Sequence, residues 1–154
     1  MNKTYLLKIA NILREIDSTA CIEKAKSLEK ASNQTNNLHL RSLELNLSHI
    51  LAIANILKQE KNNPNCSITS ISFSYNRLLG NEGVIAIAES LPNSINEIGL
   101  VACGIGDRGG EVLLKNMEKM SNLKMLCIEQ NNFSEQLKRS FLSFANASQF
   151  FIML

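Results

Sequence analysis

The chain has 154 residues, of which 45% are hydrophobic and 19% are charged, and its formal net charge is +2. This is the length and composition of one soluble globular domain with a substantial core. The nearly balanced charge leaves no basic stripe for nucleic acid, and no apolar run approaches the ~20 residues of a membrane span, so neither partner is expected.

The four cysteines, Cys21, Cys66, Cys103 and Cys127, are widely spaced and have no histidine cluster beside them. Structural zinc needs four ligands at short paired spacings, so no metal site is expected. A domain of this size does not depend on disulfides, and free thiols in a reducing compartment are predicted. Polar residues interrupt the first apolar run, so no signal peptide is predicted. A cytoplasmic location follows as the expectation.

Residues 1–37 carry the period of helices. Leu6, Ile9 and Leu13 lie on one apolar stripe, and Asp17 or Ser18 is placed to cap a second helix. The region is predicted to be an N-terminal helical cap that covers one end of the core. The alternative is a degenerate repeat that begins near residue 13.

Four later segments share a frame of apolar residues at relative positions 1, 4, 6 and 11. The frame begins near residues 40, 68, 95 and 123, so successive copies are 28, 27 and 28 residues apart. Relative position 9 holds a small or amide side chain in each copy, namely Ser48, Asn76, Cys103 and Asn131. A recurrence at this period is typical of repeat architectures.

Each copy is predicted to form a short strand, a turn and a helix. Positions 4 and 6 lie two residues apart, which places both side chains on the buried face of a strand. After the turn the apolar residues follow a helical period, as in Ile87, Ala88 and Leu91. The pattern predicts an α/β fold, with a short curved parallel sheet on the concave side and helices on the convex side.

The frame LxxLxLxx(N/C)xL, followed by a helix that starts at a glycine, resembles the ribonuclease-inhibitor type of leucine-rich repeat. Residues 40–50, 68–91, 95–117 and 123–133 carry the resemblance. Leu137 departs from it, standing where a glycine is expected. The resemblance implies a solenoid that binds another protein and regulates it by covering its surface. The chain is accordingly divided into a cap at 1–37, four repeats at 38–148 and a partial fifth strand at 149–154.

The last six residues, 149–154, are predicted to form that fifth strand because Phe151 lies 28 residues after Leu123. A last strand leaves an apolar edge without a partner, which is a known hazard for association. Two alternatives remain open. The chain forms a homo-oligomer through this edge, or the sequence stops inside a longer array.

No catalytic site is predicted, and the chain is not expected to be an enzyme or to bind a cofactor. His39 and His49 flank the predicted first strand, whereas Cys127 belongs to the fourth, about 14 Å away at the usual strand spacing. The glycines between residues 104 and 110 follow a strand and precede a helix, but no Gly-Lys-Ser/Thr accompanies them. The turn of the repeat accounts for them.

The predicted partner-binding surface consists of strand and turn residues that point away from the helices. They are Glu44, Asn46, Leu47, Ser72, Ser74, Tyr75, Val101, Ala102, Cys127, Glu129 and Gln130. An aromatic anchor within a polar rim is the usual anatomy of a protein interface, and Tyr75 is the predicted anchor.

The leading functional hypothesis is a protein-binding module that uses this surface. One alternative is a bacterial effector delivered into a host cell, where it acts on a host protein. Others are a GTPase-activating or actin-regulating repeat domain, and a self-assembling fragment held by its open edge.

Overall fold

The computed structural model describes residues 4–31 and 36–154. Within these residues, six helices and five short strands alternate after an initial helix pair. In chain order they are α1 (Thr4–Arg14), α2 (Thr19–Ala31), β1 (Asn37–His39), α3 (Leu47–Glu60), β2 (Ser70–Ser72), α4 (Gly80–Ser90), β3 (Glu97–Gly99), α5 (Asp107–Met117), β4 (Met125–Cys127), α6 (Glu135–Ser148) and β5 (Phe151–Met153).

The five strands form one parallel sheet in the order β1-β2-β3-β4-β5. Their central residues are register partners, and these are Leu38, Ile71, Ile98, Leu126 and Ile152. The first four are buried and the fifth is partly buried. One helix joins each strand to the next, as parallel pairing requires. The α/β architecture with a parallel sheet is therefore as predicted.

The core lies between the sheet and the helices that follow each strand. Helices α3, α4 and α5 each pack against the next helix in the chain. The buried apolar residues form a single cluster that runs from Tyr5 in α1 to Phe150 before β5. Because each helix buries only one face, the stability of every strand–helix unit depends on its neighbours.

The two predicted N-terminal helices are confirmed as α1 and α2. Helix α1 packs against α2 and α3, and the buried Cys21 thiol of α2 donates a hydrogen bond to the carbonyl of Leu43 at 3.5 Å. No strand lies within residues 4–31, where the alternative of a degenerate repeat would need one. Residues 1–3 and 32–35 of the predicted cap lie outside the described residues.

The first strand lies at Asn37–His39, five residues before the position that the frame predicts, so the predicted start near residue 40 is wrong. The buried Leu38 takes the place expected for Leu43. Leucines recur so often between residues 38 and 45 that two registers fit the apolar pattern. Pairing with β2 selects the earlier one, in which Leu43 stands at the turn position in place of Ser48.

An amide from the next unit makes this register possible. Asn76 is buried, and its Oδ1 accepts hydrogen bonds from the backbone N–H groups of Leu43 at 3.3 Å and Leu45 at 3.0 Å. Its Nδ2 donates to the carbonyls of Leu40 at 2.8 Å and Phe73 at 2.7 Å. The turn after β1 therefore needs no polar side chain of its own.

The predicted fifth strand is confirmed as β5, which pairs in parallel with β4. Its frame is shifted, since Ile152 and not Leu154 aligns with Leu126 of the preceding strand. Strand β5 lies at one edge of the sheet.

Candidate functional site

The sheet has one face turned towards the helices and another, here called the open face, that points away from them. Side chains alternate between the two faces of a strand, so the residues on either side of each central residue lie on the open face. They form two rows across the sheet. The first row is Asn37, Ser70, Glu97, Met125 and Phe151, and the second is His39, Ser72, Gly99, Cys127 and Met153.

A third row continues beyond the ends of the strands and consists of Arg41, Ser74, Val101 and Glu129. Backbone hydrogen bonds maintain the spacing there, from Tyr75 N to the carbonyl of Val101 at 2.7 Å and from Ala102 N to that of Glu129 at 2.9 Å. The chain then turns through a left-handed residue at equivalent places, which are Ser42, Tyr75, Ala102 and Gln130, with φ between 52° and 65°. The repeated turn keeps the third row aligned across four units.

Three residues of the predicted surface do not belong to the open face, which corrects the prediction for the first unit. Asn46 caps helix α3, with its Oδ1 accepting from His49 N at 3.0 Å, and Leu47 is the first residue of that helix. Glu44 lies in the turn before it, with φ at 52°. The misplaced first strand is the cause, because the five-residue shift in register carries these side chains past the sheet.

The other eight predicted residues lie on the open face or in the turns beside it. A cleft of about 300 Å³ there is lined by seven of them, namely Ser72, Ser74, Tyr75, Val101, Cys127, Glu129 and Gln130. Ala102 is placed beside the cleft by its backbone hydrogen bond to Glu129. The structure thus brings the predicted residues of units two to four together.

Gly99 forms the floor of the cleft. A Cβ atom at this position would lie 2.7 Å from Ser72 Oγ and 3.2 Å from Ser74 Oγ, so a larger residue would have to displace both serines. Ser72 Oγ donates to Ser74 Oγ at 3.2 Å, and Val101 N donates to Ser74 Oγ at 3.1 Å. Small, mutually hydrogen-bonded side chains therefore keep the centre of the open face low.

The side of the cleft nearest β1 carries basic groups. His39 Nε2 lies 2.8 Å from Ser70 Oγ, within hydrogen-bond distance. Burial, together with the nearby charges of Lys24 and Arg41, lowers the pKa of His39, and Glu97 acts in the opposite direction. The imidazole is accordingly neutral at pH 7, and Arg41 supplies the positive charge here.

The side nearest β4 carries acidic groups around a cysteine. Cys127 is half-buried; its burial raises the pKa of the thiol, and the carboxylates of Glu129 and Glu97 raise it further. The Oε2 atom of Glu129 is buried and has no hydrogen-bond partner among the described residues. Cys127 is therefore a protonated thiol at neutral pH, poorly suited to act as a nucleophile.

Tyr75, the predicted anchor, lies at the rim of the cleft. Its side chain is exposed and its backbone is left-handed, with φ at 65°. The guanidinium carbon of Arg41 lies 5.4 Å from the centroid of the ring, a cation–π distance. This contact holds Arg41 over the tyrosine and makes the pair one amphipathic patch.

The far side of the open face is apolar. Met125, Phe151 and Met153, from β4 and β5, are exposed there. An interface with an aromatic, methionine-rich apolar part and a polar surround is typical of protein recognition.

Among the residues of the open face that the predicted surface did not include are the polar His39, Arg41, Ser70 and Glu97, which line the cleft. A signal for the first two was present, because polar and apolar residues alternate from Asn37 to Arg41 as in a half-buried strand. Ser70 and Glu97 occupy relative position 3 of the frame. Side chains at this position point to the same face of the strand as those at positions 5 and 7. Counting that position would have found both.

The chain matches no protein-family model and no curated protein sequence. Across residues 4–31 and 36–154, no three histidine, cysteine, aspartate or glutamate side chains are grouped as ligands for a metal ion. Every helix in the same ranges falls short of the length or apolar content that crossing a bilayer requires.

Proposed function

We propose that the chain is a leucine-rich-repeat module of the ribonuclease-inhibitor type that binds another protein through the open face of its sheet. Binding of this kind would regulate the partner by covering its surface. The residues assigned to the interface are the eight predicted residues that lie on or beside the cleft, together with His39, Arg41, Ser70 and Glu97.

The observation that carries the proposal is the exposure of large side chains on this one face. Tyr75 is 40%, Met125 37%, Phe151 57% and Met153 39% exposed to solvent. Single exposed apolar residues are common on any protein, but several on one face indicate an interaction surface. The serines, Arg41 and Glu97 beside them supply the polar rim.

The test is capture of a partner from lysate of the source cells by the immobilised chain and its variants. Tyr75→Ala removes the exposed aromatic ring, and Val101→Arg places a long side chain across the cleft. Tyr75→Ala should lose a protein that the wild-type chain retains, because truncating an interface anchor commonly costs about 2 kcal/mol or more. Val101→Arg should lose the same protein because the arginine side chain obstructs the cleft.

Leu51→Arg is the matched control, since Leu51 is also exposed but lies on helix α3. This control should retain the same partner as the wild-type chain, and circular dichroism should show all variants folded. Identical sets of captured proteins from wild type, Tyr75→Ala and Val101→Arg would refute binding through the open face.

Self-association through β5 is a second candidate, favoured by the exposed Phe151 and Met153 at the sheet edge. An uncovered apolar edge strand can pair with the same strand of another copy. Light scattering on the eluting peak of a size-exclusion column should then show a dimer for the wild-type chain and a monomer for Phe151→Lys. A dimer in both would exclude this edge as the contact.

A reducing compartment, such as the cytoplasm of a source or host cell, is part of the same proposal. All four cysteines are free, and Cys21, Cys66 and Cys103 are buried. Burial raises the pKa of the Cys103 thiol to about 11. Thiols in this state act as small core residues and need no oxidising environment.

A further inference from the structure

We infer that the cleft on the open face receives one basic side chain, an arginine or lysine, from the partner polypeptide. This inference rests on the proposed function and adds the chemistry of the partner. It follows from the unpaired carboxylate in the cleft, the charges around it and the shape of its floor.

Glu129 brings an unsatisfied carboxylate oxygen to the cleft. Its Oε2 atom is buried without a hydrogen-bond partner in the described part of the chain, and Glu129 lines the cleft. A desolvated carboxylate oxygen that lacks a partner is costly, and an incoming N–H donor with a positive charge relieves this cost. A guanidinium or ammonium group supplies such donors.

A second carboxylate in the same cleft adds to the negative potential. Glu97 is exposed on the neighbouring strand β3, and its charge, like that of Glu129, favours the protonated thiol of Cys127 between them. Two negative charges therefore act on one point of the cleft floor, where they outweigh the smaller opposing effect of Arg41. A cation is the complementary ligand.

The basic residue of the cleft is engaged with Tyr75 at the opposite side. Arg41 extends from β1 and stacks over the ring of Tyr75, with 5.4 Å between the guanidinium carbon and the ring centroid. Three strand spacings, about 14 Å, separate its backbone from that of Glu129 in the same row. The acidic side of the cleft consequently remains available to a cation from outside.

The shape of the cleft suits a long side chain with a charged end. Gly99 and the serines leave the floor low, and Val101 and Met153 give apolar walls for a methylene stem. Arginine and lysine combine such a stem with a charged head. A volume of about 300 Å³ is sufficient for one such side chain.

The experiment is an NMR titration of the ¹⁵N-labelled chain with acetyl-arginine N-methylamide. The leucine and glutamate counterparts serve as probes of the same size range without the positive charge. The arginine compound should shift the amide resonances of Gly99, Cys127 and Glu129 in a saturable manner, and added salt should weaken its binding. Neither of the other compounds should do so.

Glu129→Gln should weaken binding of the arginine compound by at least about tenfold, since the charged partner becomes a neutral amide of the same shape. Glu97→Gln should weaken binding of the arginine compound to a smaller extent. This second variant keeps the test decisive if Glu129→Gln disturbs the fold. Glu89→Gln, an exposed carboxylate at the end of α4, is the control and should leave affinity unchanged.

Equal shifts from the arginine and leucine compounds would overturn the inference, as would unchanged affinity in both Glu129→Gln and Glu97→Gln. Failure of the inference differs from failure of the proposed function. If Val101→Arg loses the captured partner while the arginine compound does not bind, the open face binds protein by other contacts. If the compound binds but capture is unchanged in Tyr75→Ala and Val101→Arg, the proposed function is wrong and the cation site remains.

Discussion

At the scale of single residues, the polar side chains that matter most to the fold are those that satisfy the backbone where strands end. Asn131 repeats the role of Asn76 two units further along, accepting from Cys103 N and Ile105 N, both at 3.1 Å. Between them, Cys103 donates through its thiol to the carbonyl of Phe73 at 3.3 Å. A thiol donates only one bond, so the asparagines should contribute more to stability than the cysteine.

Asn76→Ala should lower the free energy of unfolding by about 3 kcal/mol, because it leaves buried backbone N–H and carbonyl groups without partners. Urea denaturation followed by circular dichroism measures the change. Asn55→Ala, at an exposed position of helix α3, is the control and should change stability by less than about 0.5 kcal/mol. Equal stability of the two variants would contradict the assigned role.

Tyr5 is the opposite case, a buried polar group whose hydroxyl lies near Ser67 but makes no hydrogen bond of normal geometry with the described residues. Tyr5→Phe should therefore be as stable as the wild-type chain at pH 7, within about 0.5 kcal/mol. The two chains should diverge in alkali, because burial raises the pKa of Tyr5 from 10.0 to about 12.

The raised pKa of Tyr5 lowers the stability of the folded chain at high pH. The unfolded chain loses the phenol proton near pH 10 and the folded chain only near pH 12, so stability is lost as the pH rises between these values. Urea denaturation at pH 9 and at pH 11.5 should show a smaller loss for Tyr5→Phe, by up to about 2 kcal/mol. An identical loss in both proteins would show that Tyr5 is not the group responsible.

At the scale of elements, helices α4 and α5 each help to begin the next helix in the chain. Helix α5 has Gly106 at its N-cap and no capping side chain of its own. Asn81 of helix α4 provides the acceptor, with its Oδ1 receiving Gly106 N at 2.8 Å and Gly109 N at 3.1 Å. Asp107 accepts from Ser134 N at 2.7 Å in the same way, one unit later. Unpaired N–H groups at a helix start are thus satisfied from the neighbouring unit.

Gly109 permits the close approach of α4 and α5 on which this cap depends. A Cβ atom here would lie 2.6 Å from Val84 Cγ1 and 2.8 Å from Asn81 Oδ1. Gly109→Ala gains about 1 kcal/mol in helix propensity but should still lower stability by about 1 to 2 kcal/mol, because it forces the two helices apart.

Thermal or urea unfolding of Gly109→Ala tests this balance. Glu111→Ala, at an exposed position of the same helix, leaves a methyl side chain in helix α5 without a steric conflict and should be nearly neutral. A more stable Gly109→Ala variant would mean that α4 and α5 are free to move apart.

At the scale of the whole molecule, a single core joins the N-terminal helices to the last strand. No unit closes a core of its own, since the helices bury their apolar faces against the sheet and one another. The open face, in contrast, is covered by none of the described helices, and its exposed side chains leave it as the surface on which function is proposed. The same arrangement therefore accounts for stability on one side of the sheet and recognition on the other.

Unfolding of the chain should consequently be one cooperative transition. Leu13→Ala in α1 and Phe141→Ala in α6 both remove a fully buried side chain, at opposite ends of the core. Each should cost about 2 to 5 kcal/mol and displace the same transition in urea. Two separate transitions, each sensitive to only one of the substitutions, would show that the ends fold independently.

The apolar frame predicted strands β2, β3 and β4 correctly, because each is followed by one turn residue of distinctive chemistry, Asn76, Cys103 or Asn131. It placed the first strand five residues too late because leucines between residues 38 and 45 satisfy two registers. In the candidate site the same error brought in Glu44, Asn46 and Leu47, and it left out His39 and Arg41. The units with an unambiguous turn residue contributed eight of the eleven predicted residues to the open face.

The sequence by itself determined the α/β class and the strand–helix alternation, because the 2-residue and 3.6-residue apolar periods are local properties of the chain. It also indicated which side chains of units two to four point away from the core. The tertiary structure decided the register of the first strand, because pairing with β2 and the amide of Asn76 act across more than thirty residues of sequence. It alone brought Glu97, Cys127 and Glu129 into one cleft that Arg41 and Tyr75 line on the other side, since distances between strands are not encoded in spacing along the chain.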